Sequence, residues 1–142
     1  MKRAASARWL GSLKDGKGSF STESGKVRDV AYSWSTRFGE ERGTNPEELI
    51  AAAHASCFSM AFSSELGKLG ITPESVETRC EVSMEKTDAG MTVTESRLSS
   101  SVRAPGADAG RIREAAEAAK KGCPVSRLLA PGLRVSLDLR IA

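Results

Sequence analysis

The chain has 142 residues, of which 39% are apolar and 27% charged, with a net charge of +3. That length builds one domain with a real core but not two, and the composition is that of an ordinary globular protein. The basic residues are spread along the chain and the aromatics do not interleave with them, which argues against a nucleic-acid surface.

The N-terminus, "MKRAASARWLG", starts basic but lacks the apolar centre of a signal peptide. The longest apolar run, residues 49–62, is interrupted by His54 and serines and is too short to span a bilayer. A cytoplasmic address is therefore expected. Cys57, Cys80 and Cys123 are too few and too far apart for a secreted disulfide framework. In a reducing compartment, a disulfide among them would be catalytic or redox-sensing.

In chain order, "ARWLGSLKDGKGSFST" predicts two short strands with a turn at Asp15-Gly16-Lys17-Gly18. "YSWSTRF" alternates and predicts a third strand, with Tyr32, Trp34, Thr36 and Phe38 on one face and Ser33, Ser35 and Arg37 on the other. A long helix follows. Asn45 is its N-cap, Pro46 fits the first helical position and Glu48 completes a capping box. Glu47 has no such local task. Gly70 and Pro73 stop the helix after about Leu69. Its apolar residues lie almost all round it, which predicts burial on every side, in a core or against a partner chain.

"VETRCEVSM" puts Val76, Thr78, Cys80, Val82 and Met84 on one face of a strand, and Asp88-Ala89-Gly90 turns the chain. The apolar phase of the next strand slips in the middle, which predicts a bulge. Asp108 caps a helix whose inner stripe is Ile112, Ala115, Ala116 and Ala119, stopped by Gly122. A helical turn, "PVSRLL", and a final strand from Leu133 to Ile141 close the chain. The class is α+β, with antiparallel sheets packed around a long central helix and a second helix.

The sulfur atoms divide by context. Cys80 is in phase with the apolar side of its strand and reads as an inert small hydrophobe. Cys57 lies about eleven residues into the long helix, too deep for the helix N-terminus to stabilise a thiolate. It is either packing or a thiol activated by a neighbouring cation. His54 stands three residues earlier, but with no third group to orient it the pair is a poor proton-transfer couple, and His54 reads as a core or interface histidine. Cys123, before Pro124, can occupy the N-cap of "PVSRLL", and local chemistry makes it the more acidic thiol. No close ligand pair supports a metal site, and no cofactor is expected.

"TRFGEERGTNPEELIAAAHASCFSMAFSSEL" and "KKGCPVSRLL" strongly resemble the OsmC/Ohr family of thiol-dependent peroxidases. The resemblance extends to "ARWLGSLKDGKGSFSTESG" and the last strand, and "AAHASCFSM" is similar to the osmotically inducible OsmC branch. It implies an OsmC-like fold over residues 1–142 in an intertwined homodimer, and a peroxidase of oxidative and osmotic stress defence. Cys57 matches the peroxidatic cysteine and Cys123 the resolving one, paired as a disulfide in the cycle. Arg37 and Glu47 match the polar pair that activates the thiolate. The implied partners are an organic hydroperoxide and a dithiol reductant, a lipoyl group being one candidate.

Ten helical residues separate Glu47 from Cys57, about 15 Å along an axis that rises 1.5 Å per residue. A glutamate cannot span that in one straight helix. Glu47, together with Arg37, is therefore expected to serve a Cys57 across a dimer interface, with active sites between subunits. The rivals are a Cys57/His54 hydrolase or transferase and a non-catalytic homodimer that binds an apolar ligand.

Overall fold

The computed structural model describes all residues from Met1 to Ala142. The chain divides into two compact units, residues 1–49 and 50–142. The first holds a three-stranded antiparallel sheet in the order β1-β2-β3, made of Ala5–Leu10, Lys17–Thr22 and Val30–Ser33. Trp9, Gly18 and Tyr32 are partners across the three strands. A Cβ on Gly18 would lie 2.4 Å from the Tyr32 ring and 2.8 Å from Trp9, so only glycine lets the two rings close at 5.5 Å between centroids. The β1–β2 connection turns earlier than expected. Gly16 N–H donates to Ser12 C=O, and Lys17 and Gly18 already belong to β2.

The predicted third strand is cut short. It ends at Ser33, and Trp34–Phe38 form a short helix, α1. Ser33 Oγ accepts from Thr36 N–H while Thr36 Oγ1 accepts from Ser33 N–H, a reciprocal cap that favours a helical turn over extension. Arg37 therefore sits on a helix, not on the polar face of a strand.

Helix α2 runs Pro46–Lys68, its first turn counted with the first unit. Asn45 Oδ1 accepts from Glu48 N–H at 2.9 Å, as expected of the cap. At the other end Ile71 N–H reaches Leu66 C=O and Gly70 N–H reaches Gly67 C=O, with Gly70 at φ +70°. That is a Schellman stop, and Arg111 Nη2 adds a further bond to Leu69 C=O.

The second unit packs α2 with α3 (Ala109–Gly122) and α4 (Pro124–Leu129) on a sheet of β4 (Ser75–Thr87), β5 (Gly90–Arg103) and β6 (Arg134–Ile141). The expected bulge is present: Ser83 faces Glu95 but Met84 faces Val93, leaving Thr94 as the extra residue. Asp108 caps α3, and the stripe Ile112, Ala115, Ala116 and Ala119 is buried as its spacing requires. The sheet is mixed, not antiparallel throughout. β6 pairs with β5 in parallel, because the chain crosses back through α3 and α4 before forming its last strand.

The core joins Phe58, Phe62 and Leu66 of α2 to Leu98 and Val102 of β5 and to the α3 stripe. Within the single chain α2 is buried along one stripe, His54-Phe58-Phe62-Leu66, at helical spacing of four. It is not buried on every side: Met60 is 76% exposed and Leu49 39%. Phe62→Ala is expected to destabilise the fold by about 3–5 kcal/mol, since its ring is wholly enclosed and leaves a cavity. Denaturant midpoints of the variant and the wild type check this.

Candidate active site

The four residues singled out by the sequence occur as two pairs. In the first unit, Thr36 Oγ1 donates to Thr44 C=O at 3.0 Å and Asn45 Nδ2 to Thr36 C=O at 3.5 Å, tying α1 to the start of α2. A Cβ on Gly43 would meet the Thr36 methyl at 2.5 Å, so the loop closes this tightly only with glycine there. Closure sets Arg37 beside Glu47. Arg37 Nη2 donates to Glu47 Oε1 at 2.7 Å, and Nε lies 3.1 and 3.3 Å from the two carboxylate oxygens. The Phe38 ring lies under the guanidinium, 5.0 Å from its carbon.

The Arg37 side chain is 37% exposed, and an ion pair this open to water contributes about 0–1 kcal/mol to stability. Its geometric effect is larger. Two-pronged bonding and an aromatic surface fix the direction of a charge that would otherwise swing on a flexible stem.

In the second unit, Cys57 and Cys123 are neighbours, and both are free thiols. Cys57 is half-buried against the core and Cys123 is fully enclosed. Cys123 is the N-cap of α4, as expected, but its side chain makes no capping bond. Burial pushes the Cys57 thiol above its ordinary value. The Val125 N–H, directed at the sulfur, pulls it down, and the adjacent Cys123 thiol pushes it up again. On this account Cys57 needs a cation to become a thiolate at neutral pH.

His54 is wholly buried and engaged at both ring nitrogens. Nδ1 is 2.7 Å from Ser96 Oγ, and Nε2 is 2.8 Å from Ser126 Oγ. It is a satisfied core histidine with no nitrogen left for Cys57. Burial lowers its pKa below the ordinary 6.5, so the unfolded chain takes up a proton before the folded one. Its share of stability is then full above about pH 6.5 and declines as pH falls toward the lower folded value. His54 is the chain's only histidine, so its ring-proton NMR shift should show no titration near the ordinary value.

Cys80 shares this neighbourhood: its sulfur lies 3.2 Å from Ser96 Oγ and 3.9 Å from His54 Nδ1. Burial raises its pKa, a Ser96 bond opposes the rise and Glu81 adds to it. The sequence did not flag Ser96 or Ser126. A serine in phase with the apolar residues of β5, as Ser96 is with Leu98 and Val102, is the signal that marks a buried polar contact.

The aromatic side chains pair within each unit. Phe58 and Phe62 are core, with ring centroids 5.8 Å apart, while Trp34 and Phe38 pair at 5.9 Å. No group of three or more His, Cys, Asp or Glu side chains is arranged to hold a metal ion. No helix is long and apolar enough to cross a membrane.

The chain is similar in sequence and in fold to known proteins. The chain is 48% identical over 134 residues to Peroxiredoxin OsmC of Escherichia coli (strain K12), covering 94% of each. A solved organic hydroperoxide resistance protein OsmC from Legionella pneumophila superposes with a TM-score of 0.76 at 26% identity, over 96% of both chains. An organic hydroperoxide resistance protein from Elizabethkingia anophelis matches in fold, with a TM-score of 0.80 at 19% identity over 100% of this chain and 99% of that one. Residues 39–138 match the family described as OsmC-like protein, and the chain belongs to that family.

Proposed function

We propose that this protein is a cysteine-based peroxidase that reduces organic hydroperoxides to alcohols, with Cys57 as the attacking thiolate and Cys123 as the resolving thiol. The observation that carries the reading is the meeting of these two free thiols, distant in sequence, in a chain nearly half identical to a peroxiredoxin. The Cys57 sulfur attacks the distal oxygen of the hydroperoxide and the O–O bond breaks. The alcohol leaves with a proton, and Cys57, oxidised by two electrons, becomes a sulfenic acid. The Cys123 thiol then displaces the sulfenic hydroxyl as water, forming the Cys57–Cys123 disulfide. A dithiol reductant restores both thiols by exchange and becomes a disulfide itself.

Arg37, held by Glu47, is the cation that offsets the upward pressure of burial on Cys57. The enzyme acts as a homodimer with its active sites at the subunit interface. Helix arithmetic between Glu47 and Cys57 supports this, as do the exposed Met60 and Leu49 of α2. The chain works as one OsmC-like domain in the cytoplasm, in defence against oxidative and osmotic stress; the family match runs across the boundary between its two units. A Cys57/His54 hydrolase is disfavoured by the two serines that already occupy the imidazole.

Thiol titration of the reduced protein before and after one equivalent of cumene hydroperoxide tests the reading, with disulfide mapping by mass spectrometry. Two thiols should disappear into a Cys57–Cys123 link within one chain while Cys80 stays free. Three thiols persisting unchanged would leave a non-catalytic dimer that binds an apolar ligand as the better account.

A further inference from the structure

The peroxidase cycle leaves one buried polar chain without a task. It passes through four elements of the second unit: Cys80 on β4, Ser96 on β5, His54 on α2 and Ser126 on α4. His54 and Ser96 are wholly enclosed and Ser126 is 2% exposed. One proton arrangement satisfies the hydroxyls and the ring together. Nδ1–H donates to Ser96 Oγ, the Ser96 hydroxyl to Cys80 sulfur, and the Ser126 hydroxyl to Nε2. Such a chain is costly to leave incomplete, since each unpaired buried group costs about 1–3 kcal/mol.

Its place explains what it can do. The first turn of α4 presents Val125 N–H to the Cys57 sulfur, Ser126 Oγ to His54, and Cys123 as the residue just before it. Yet α4 has only six residues and no side-chain bond at its N-cap. A helix that short has no stability of its own, so its position depends on neighbours. His54 stands on α2 three residues before Cys57, so its ring and the sulfur project from one face of the same helix. The His54–Ser126 bond thus fixes α4 to the helix that carries the attacking sulfur, and Ser96 fixes the ring that makes the bond.

We propose that His54, clamped by Ser96, is a positioning residue for the second half of the cycle: through Ser126 it holds the first turn of α4 so that Cys123 stays aligned with the Cys57 sulfenic acid. The inference rests on the reading of Cys57 and Cys123 given above. It assigns His54 no contact with the hydroperoxide and no proton transfer. Its effect should fall on condensation of the sulfenic acid with Cys123 and not on attack at the peroxide.

The test separates the two half-reactions. Reduced wild-type protein, Ser126→Ala, Ser126→Thr and Ser96→Ala are mixed with one equivalent of cumene hydroperoxide and quenched over time. Sulfenic acid is trapped with dimedone, and the Cys57–Cys123 disulfide is measured by mass spectrometry. In Ser126→Ala, sulfenic acid should form within about twofold of the wild-type rate while disulfide formation slows about tenfold or more, the cost of a small misplacement of a reacting group. Dimedone adduct should rise accordingly, and a second equivalent of hydroperoxide should carry more Cys57 to sulfinic acid than in wild type. Ser126→Thr, which keeps the hydroxyl, should restore condensation. Ser96→Ala, which frees the ring from the other side, should slow the same step.

Condensation at the wild-type rate in folded Ser126→Ala and Ser96→Ala would overturn the positioning role, as would an equal slowing of both steps. Should one variant fail to fold, the other decides. A wild-type protein that forms no Cys57–Cys123 disulfide overturns the underlying reading, and the positioning role with it. The two failures are therefore distinguishable.

Discussion

Cys57→Ser is expected to lower turnover of cumene hydroperoxide by on the order of 10³-fold or more, because it removes the atom proposed to break the O–O bond. A seryl hydroxyl in its place ionises far less readily and cannot be oxidised to an equivalent of sulfenic acid. Cys123→Ser should behave differently. The first equivalent of hydroperoxide is consumed as in wild type, but the Cys57 sulfenic acid finds no thiol beside it and accumulates. Excess peroxide then drives it to sulfinic acid, which thiols do not reverse. Mass spectrometry with dimedone trapping separates these outcomes. Full turnover in Cys57→Ser, or a sulfenic acid found on Cys80, would remove the assignment of Cys57.

The second large effect concerns the charge. Burial raises the Cys57 pKa above its ordinary value, so the reactive thiolate fraction is small near neutrality unless a cation offsets burial. An opposite charge within about 4–6 Å lowers a pKa by about 1–3 units. Arg37→Gln should therefore slow sulfenic acid formation at pH 7 by about 10²-fold. The sign with pH is fixed by the chemistry. The rate rises as the thiol loses its proton and levels off above its pKa; Arg37→Gln moves that rise to higher pH. The variant and wild type should converge in alkali, where both carry the thiolate. Arg37→Lys should recover only part of the loss, because an ammonium cannot reproduce the Nε and Nη2 bonds to Glu47. Rate profiles from stopped-flow mixing, with thiolate absorbance read separately, test this. A profile that Arg37→Gln leaves in place would assign the cation elsewhere.

Much of the fold was legible because its signals are local. Asn45, Pro46 and Gly70 bound α2 to within a residue or so, and the Ile112-Ala115-Ala116-Ala119 stripe located the inner face of α3. The phase slip in β5 marked the bulge at Thr94. Two errors have physical causes. "YSWSTRF" alternates over seven residues, but alternation does not register the Ser33–Thr36 reciprocal bonds that begin a helix at Trp34. The side chain closing that cap is threonine rather than the more usual glutamate or glutamine. The direction of β6 was equally hidden, since period-two patterning is the same for parallel and antiparallel strands.

The candidate site was legible by a different route. Spacing along the chain offered no pairing of Cys57 with Cys123; the family resemblance supplied it, and the structure sets the two thiols in one neighbourhood. Local chemistry favoured an acidic Cys123 at the N-cap of α4, yet its side chain makes no capping bond there. Reading His54 as a core histidine was correct, but Ser96 and Ser126 lie 42 and 72 residues away from it in sequence. No local pattern links positions so far apart.

The placement of Cys123 on the crossover between β5 and β6 also bears on how the chain resists unfolding. A bond from Cys57 to this crossover would close a loop of roughly 65 residues, and a crosslink of that span removes about 4 kcal/mol of freedom from the disordered ensemble. Each turn of the redox cycle would then alternate the protein between a loosely and a tightly tethered unfolded state. The oxidised form should melt at the higher temperature, so oxidant exposure itself would protect the enzyme against heat until the reductant arrives.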